Sequence, residues 1–420
     1  MPRTIGNKVP KRRGKRMDER EPEVTRGRAG EVFAAFFRLG LTSFGGPIAH
    51  LGYFHNEFVE RRGWLDERAY ADLVALCQFL PGPASSQVGF ALGLLRAGPL
   101  GALAAFVAFT LPSAVALVLF AYGSAVLEGP IARGAIDGLK IVAVAIVAQA
   151  VWGMARTLCP DRERAVIALG AMTIVALLAG AFGQIAAIVA GAVAGVALVR
   201  NGPAQSAAPM RFPVSPAAGL AALGLFGAFL LGLPLLVAVW PGQGLALFDA
   251  FYRAGALVFG GGHVVLPLLE AETVARGWIT ADSFLAGYGA AQAVPGPLFT
   301  FPAYLGAAIG PEPNGVPGAL IALAAIFLPG FLLLLGAMPF WDAFRTRTWA
   351  QAIMAGANAA VVGILAAALY DPVFTSAVTS PLAFVLAAAG FVVLTVFKMP
   401  PWIVVLLTAL GGIAVGMISG

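Results

Sequence analysis

The chain has 420 residues, 59% hydrophobic and 11% charged, with a mean hydropathy of +0.86. Soluble domains carry about 25% charged residues, and no soluble core of this length could bury so much apolar surface. The composition therefore specifies an all-α polytopic membrane protein and excludes a soluble globular fold. The net charge of +6 is confined to the N-terminus: residues 1–30 hold ten Lys/Arg against four acids, leaving 17 basic and 17 acidic groups elsewhere.

Residues 1–29 form a basic head without an apolar run or a small-residue cleavage site. It reads as a cytoplasmic tail, a positive-inside anchor and not a nucleic-acid-binding arm or a signal peptide. Apolar runs then follow at 31–54, 71–97, 99–124, 136–156, 165–181, 183–199, 216–239, 245–269, 280–309, 316–339, 353–370, 381–397 and 400–418. A span needs about 20 residues, which predicts about thirteen transmembrane segments. With the head inside, alternate turns carrying Arg96, then Arg156, Arg162 and Arg164, then Arg200 and Arg211, then Arg276, then Arg345 and Arg347, then Lys398, return to the cytoplasm, and the C-terminus lies outside. One loop resists this assignment: 55–72 places Arg61, Arg62 and Arg68 on the outer side, accompanied by five acids. It reads as an amphipathic surface helix.

The chain repeats itself. "FRLGLTSFGGP" from Phe37 matches "YRAGALVFGGG" from Tyr252 at an offset of 215, pairing Arg38 with Arg253 and Gly45-Gly46 with Gly260-Gly261. Gln78 pairs with Gln292 and Pro81-Gly82-Pro83 with Pro295-Gly296-Pro297 at 214. Further on, Gly138 pairs with Gly356, which sets Lys140 opposite Asn358. This predicts a first repeat at 30–200, a linker and connecting helix at 201–239, and a second repeat at 240–420. Seven predicted crossings separate Arg38 from Arg253, so the repeats are inverted, an architecture common in secondary transporters.

Proline lacks an N–H and disfavours helix at the residue before it, so each Pro-Gly-Pro ends one half-helix and opens another. In lipid, non-helical backbone survives only where protein buries it or it lines a wet cavity. Two such breaks at matching positions point to a site at the repeat interface. Half-helices starting at Ala84 and Leu298 would present free N–H groups suited to anions, with Ser85, Ser86 and Thr300 adding hydroxyl donors and Gln78 and Gln292 closing the cage. Phe-Gly-Gly forms a second pair of breaks, with Arg38 and Arg253 six residues before each. Either arginine could equally snorkel to headgroups. A lone Lys140 in a span costs about 2.5–3.5 kcal/mol near the centre unless partnered, and Asp137 one turn earlier is a ready partner. Gly191–Gly195 and Gly412–Gly416 read as helix-packing faces. Cys77 and Cys159 form no CxxC pair, and the three histidines form no ligand cluster, so neither a metal nor a cofactor is expected.

Taken together, Arg38, "SFGGP", "RRGWL", "CQFLPGPASSQVG", "VFGGGHVVLPLLE" and "AQAVPGPLFTFPAYLG" resemble the two-domain chromate ion transporter family over about residues 30–420. The resemblance implies a bacterial or archaeal inner-membrane protein that exports chromate, with sulphate as a competitor, and antiparallel halves with an odd number of spans. A dianion leaving a negative-inside cell gains about 2.3 kcal/mol per charge per 100 mV, so the membrane potential favours export. Proton antiport is a further option, with Glu270, Glu272, His263 or Asp249 as candidate carriers. The alternatives are an anion channel and a transporter of another oxyanion such as sulphate. A chromate reductase lacks any cofactor motif. The expected partners are the oxyanion and the lipid bilayer, with a homo-oligomer left open and no nucleic acid.

Overall fold

A computed structural model describes residues 27–126, 129–178, 180–199 and 212–419. The basic tail expected over 1–29 lies almost wholly outside them. All regular structure is helical: α1 (Ala29–Thr42), α2 (Gly46–Phe54, prolonged by a π-type stretch His55–Arg61), α3 (Glu67–Phe79), α4 (Ala84–Val126), α5 (Pro130–Leu158), α6 (Arg162–Leu177), α7 (Gly180–Leu198), α8 (Pro216–Val239) and α9 (Gln243–Ala256). Then come α10 (Val265–Thr273), α11 (Ala281–Ala293), α12 (Phe301–Ala308), α13 (Gly315–Ala337), α14 (Trp341–Phe344), α15 (Thr348–Ala368), α16 (Thr375–Ala377), α17 (Pro381–Thr395) and α18 (Pro401–Ser419). Six helical stretches among the described residues are long and apolar enough to cross a membrane, and shorter apolar helices accompany them.

The predicted repeat is visible in helix starts. Asp66 caps α3 through the Ala69 N–H, and Thr280, 214 residues later, caps α11 through the Ser283 N–H. Asp161 and Ser380 likewise cap α6 and α17. Each cap satisfies a backbone donor that has no intrahelical acceptor.

The segments interrupted by Phe-Gly-Gly and Pro-Gly-Pro double back. At the start of α1 the Gly27 N–H donates to the Arg96 carbonyl (2.8 Å), and Glu31 pairs with Arg96 (3.2 Å) and Arg62 (3.8 Å). Arg62 and Arg96 both lie over the Trp64 ring, 5.6 and 5.1 Å from its centre. The beginning of α1, the end of the α2 extension and residue 96 of α4 therefore meet at one end of the bundle. Helix α4 is itself bent sharply at Ala97-Gly98, where φ and ψ leave the helical region and Gly98 has φ +66°. A side chain on Gly101 would run into Gly93, so the two arms of α4 pack as an antiparallel hairpin.

The second repeat does the same from the opposite end. The Gly310 N–H donates to the Trp278 carbonyl (2.9 Å), Arg276 covers the Trp278 ring (5.2 Å), and a Cβ on Gly244 would touch Pro313 at 3.4 Å. The start of α9, the loop after α10 and the end of α12 are thus gathered together. The expected segments 31–54, 71–97, 245–269 and 280–309 are each one hairpin of two half-helices.

The two repeats exchange packing faces. Helix α7 lies against α15, where a Cβ on Gly356 would come 2.7 Å from the Gly195 Cα. Helix α18 lies against α5 in the same way, a Cβ on Gly412 meeting the Gly138 Cα at 2.7 Å. These are the expected GxxxG faces, and each requires glycine for close backbone approach. The connecting helix α8 packs against α9 and α13, with Phe226 and Phe229 beside Tyr252 and the Tyr252 hydroxyl donating to the Phe226 carbonyl (3.1 Å).

Gly138→Val is expected to overpack the α5–α18 contact and cost about 1–3 kcal/mol, seen as a lowered thermal unfolding midpoint in detergent. Gly153→Ala, on the open face of the same helix where nothing lies within 4 Å, should leave the midpoint unchanged. Equal midpoints for both variants would rule out this interface.

Candidate functional site

The tips of the four hairpins converge, and each joins a tip of the other repeat. The Gly82 N–H of the first Pro-Gly-Pro donates to the Val258 carbonyl, just before Phe259-Gly260-Gly261 (2.7 Å). Reciprocally, the Gly296 N–H of the second Pro-Gly-Pro donates to the Ser43 carbonyl, just before Phe44-Gly45-Gly46 (2.9 Å). The tips also touch across the middle, since a Cβ on Gly262 would lie 3.3 Å from Pro47 and 3.9 Å from Leu298. Glycine is required at both donors: φ is +121° at Gly82 and +105° at Gly296, a region that side chains with a Cβ rarely enter.

Behind each Pro-Gly-Pro stands the kinked helix of the other repeat. A Cβ on Gly82 would meet the Gly330 Cα at 3.1 Å, beside Pro329 in α13. A Cβ on Gly296 would meet Ser113 Oγ at 2.9 Å, beside Pro112 in α4. Gln87 ties one of these joints together: its Nε2 donates to the Pro81 carbonyl (3.1 Å) and the Gly330 carbonyl (2.9 Å). The sequence reading passed over Gln87. The signal was present, a glutamine one turn into a half-helix that follows a break in lipid.

The predicted residues separate into groups. Gln292, Gly296, Gly45 and Gly46 line one small void together with Leu298 and Pro401. Gln292 Nε2 is buried there near the Tyr288 hydroxyl, with no hydrogen bond of good geometry. The void measures about 20 Å³, room for one water, so a tetrahedral oxyanion fits only if the tips part. Asn358 stands beside the other Phe-Gly-Gly, its Oδ1 3.5 Å from a Cβ built on Gly260 and unpartnered. Ser85 and Ser86 are buried in the first turn of the half-helix after Pro83, and Ser86 Oγ has no partner.

Other expected residues are occupied or lie elsewhere. Within the breaks, the Gly82 and Gly296 amides are taken by the cross-repeat carbonyls. Thr300 spends its hydroxyl on the Pro297 carbonyl (2.7 Å). Gln78, the repeat partner of Gln292, is exposed. Arg38 is exposed on the outer face of α1. Arg253 is held by Asp249 (2.8 Å) and Glu272 (3.3 Å), and Glu272 also binds Arg276 (2.6 Å). Glu57, at the repeat position of Glu272, gathers Arg61 and Arg62 (2.7 Å for Arg62). This repeated Glu-x-x-x-Arg element pins the outer arm of each first hairpin.

Lys140 belongs to a different place. Its ammonium pairs with Asp137 (2.7 Å), as the sequence suggested, and with Asp282 (3.3 Å) across the repeat boundary. The three line a cavity of about 610 Å³ with Arg133, Tyr122 and Tyr304. The cavity sits at the end of the bundle where α5 and α11 begin, and its fixed charges balance as two cations against two carboxylates.

A profile of the chromate transporters matches residues 30–196 and 245–413, one copy per repeat. The chain belongs to the chromate transporter family. It is 30% identical to a chromate transport protein of Pseudomonas aeruginosa over 91% of this chain and 90% of that one. A chromate transport protein of Cupriavidus metallidurans is 28% identical over 86% and 87% of the two chains. An uncharacterized transporter of Methanocaldococcus jannaschii is 27% identical over 80% and 82%. No solved structure matches the chain. This is a transporter family and not an enzyme family. It is duplicated here, with four breaks meeting where the copies join.

Gln87→Leu is expected to orphan the Pro81 and Gly330 carbonyls at about 1–3 kcal/mol for each buried group. The thermal midpoint in detergent should fall, whereas Gln149→Leu, with a single weaker bond to the Leu394 carbonyl (3.3 Å), should fall less. An unchanged midpoint for Gln87→Leu would show that the joint does not depend on it.

Proposed function

We propose that this protein exports chromate or a closely related oxyanion across the prokaryotic inner membrane, binding it where the four hairpin tips meet. One observation carries the reading: the tips interlock across the repeats and leave buried polar atoms without good hydrogen bonds around them, among them Gln292 Nε2 and Ser86 Oγ. Buried polar groups are normally satisfied. Neutral donors at a helix start can hold a dianion without a fixed cation that would retain it, which suits a carrier that must also release. The homologous chromate transport proteins supply the substrate class. A dianion leaving through a membrane potential gains about 4.6 kcal/mol per 100 mV, twice the single-charge value of about 2.3.

The same reading fixes a topology. Each of the four hairpins leaves on the side it entered, the first two on one side and the last two on the other, so crossings are made by the second arm of α4, α5, α6, α7, α8, α13, α15, α17 and α18. That replaces about thirteen crossings by nine and keeps the number odd. The repeats stay inverted, with α8 carrying the chain from the end of the first (30–200) to the start of the second (240–420). Charge supports the assignment. Arg61, Arg62, Arg68, Arg96, Arg156, Arg162, Arg164, Arg345, Arg347 and Lys398 all fall at the end where the basic tail begins, and the opposite end has Arg133, Lys140, Arg253 and Arg276, the last of which the thirteen-span reading put in the cytoplasm. The loop 55–72, anomalous under thirteen crossings, is cytoplasmic under nine.

Two measurements test this. In a background with Cys77 and Cys159 replaced, Ala275→Cys should react with a membrane-impermeant thiol reagent outside intact cells. Glu60→Cys should react only after permeabilisation. Thirteen crossings would reverse both results. Separately, Gln292→Leu should weaken chromate binding to purified protein about ten- to a hundredfold, because a hydrogen bond to a charged group is worth about 1.5–3 kcal/mol. Unchanged affinity would move the anion away from this void.

A further inference from the structure

The pseudo-symmetry of the joints is broken in one respect. On the first-repeat side a buried hydrogen-bonded chain runs from Ser43 through His50 to Ser85, all between 0% and 2% exposed. His50 Nε2 is 3.2 Å from the Ser43 carbonyl, and Nδ1 is 3.4 Å from Ser85 Oγ. The residues at the same repeat positions are Val258, Val265 and Phe299, also buried and unable to form such a chain. A duplicated scaffold has no packing need for this difference. Nothing in the oxyanion reading above uses the imidazole.

The bonds fix its state. A carbonyl can only accept, so Nε2 carries the proton and Nδ1 accepts from the Ser85 hydroxyl. A second proton can enter only at Nδ1, and Ser85 tolerates it by turning its hydroxyl and accepting instead. The Ser85 hydroxyl keeps its hydrogen, which is then free to donate to another acceptor, such as a bound oxyanion. The unpartnered Ser86 Oγ lies in the same helical turn, and Ser43 Oγ, likewise unpartnered, is on the residue whose carbonyl binds His50. Ser43 O also receives the Gly296 N–H, so the imidazole touches one of the two joints that hold the repeats together.

Other charged groups around His50 are engaged or remote. On α1, Glu31 is held by Arg62 and Arg96, and Arg38 is exposed. Along its own hairpin, His55 pairs with Glu60 and Glu67, and Glu57 with Arg61 and Arg62. Helix α4 brings Arg96 and Tyr122 at its bends and ends. From the second repeat, Tyr288 is bonded to His263 (2.7 Å). Among the described residues no carboxylate contacts the imidazole, so its natural counter-charge is the transported anion.

From this geometry we infer that His50 takes up a proton when the oxyanion binds, and that Ser85 relays this to the anion at the first-repeat half-helix. This rests on the oxyanion reading and adds to it a single proton-coupling residue, placed in one repeat. The sign follows from charge: a nearby dianion favours the protonated imidazole. Affinity therefore weakens as pH rises through the imidazole titration, with a slope approaching tenfold per pH unit.

The test is calorimetric titration of purified full-length protein with chromate, at neutral pH, in buffers of different ionisation heat. His50→Gln can keep both hydrogen bonds but cannot titrate. Because chromate's own titration is common to both proteins, it cancels in the difference between them. Wild type should take up a sizeable fraction of one proton more per chromate than His50→Gln. Its affinity should fall more steeply with rising pH. If His50→Gln fails to fold, Ser85→Ala keeps the bond to Ser43 and should likewise lose much of the uptake. Equal proton uptake with chromate bound in both proteins would overturn the inference and leave the oxyanion site standing. Absence of chromate binding to wild type would overturn the oxyanion reading, and this inference with it.

Discussion

Breaking a helix inside lipid exposes backbone donors and acceptors that have no water to turn to, at several kilocalories per mole for each group left unpaired. This chain does it four times, and the answer lies in two hydrogen bonds that cross between repeats, Gly82 N–H to Val258 O and Gly296 N–H to Ser43 O. Neither repeat could carry its own breaks alone. Each Pro-Gly-Pro needs the carbonyl before the other repeat's Phe-Gly-Gly, and each rests on the kinked helix of the other repeat at Gly330 or Ser113. The exchange of α7 and α18 across the same boundary follows the same logic at larger scale. Duplication and fold are tied together because the broken segments are satisfied only at the junction.

Much of this was legible in the sequence because it is local. The Gly and Pro punctuation, the offset near 215, the GxxxG faces and the Lys140–Asp137 pair are all carried by residues close in the chain or repeated verbatim. The return of the broken segments was not legible. Two half-helices of 8 to 14 residues have the hydropathy of one span whether the second arm continues or folds back. The decisive contacts, Gly27 with Arg96 and Gly310 with Trp278, are long-range. One local clue did exist, in the three arginines of the 55–72 loop that sat on the wrong side of a thirteen-span count.

Within the site the misreadings share a cause. Sequence symmetry paired Gln78 with Gln292, Arg38 with Arg253 and Lys140 with Asn358, and the structure gives the members of each pair different surroundings. Gln292 has a buried Nε2 where Gln78 is exposed, and Arg253 has Asp249 where the first repeat has Ala34. Lys140 reaches Asp282, but Asn358 lies against Gly260. Duplicated repeats can share a fold while giving matching positions unlike surroundings, so motif symmetry locates the joint without assigning the roles within it.

That inequality bears on how such a joint can move. The Val258 carbonyl receives the Gly82 amide in surroundings where the repeat counterparts of His50 and Ser85 are Val265 and Phe299, so no imidazole shares that carbonyl. The Ser43 carbonyl is shared between the Gly296 amide and the His50 imidazole, and hydroxyls with no other partner stand nearby. A shared acceptor holds each donor less firmly than a dedicated one, and its balance shifts when either donor changes charge. The void beside Gly296 has room for one water, so an oxyanion bound there, as proposed above, would have to part the tips. The Ser43 side is where parting leaves the fewest backbone groups unpaired, since His50 and the serine hydroxyls can take up the bonds that Gly296 releases. The two joints of this duplicated scaffold therefore differ, and the one at Ser43 shares its carbonyl with a buried imidazole.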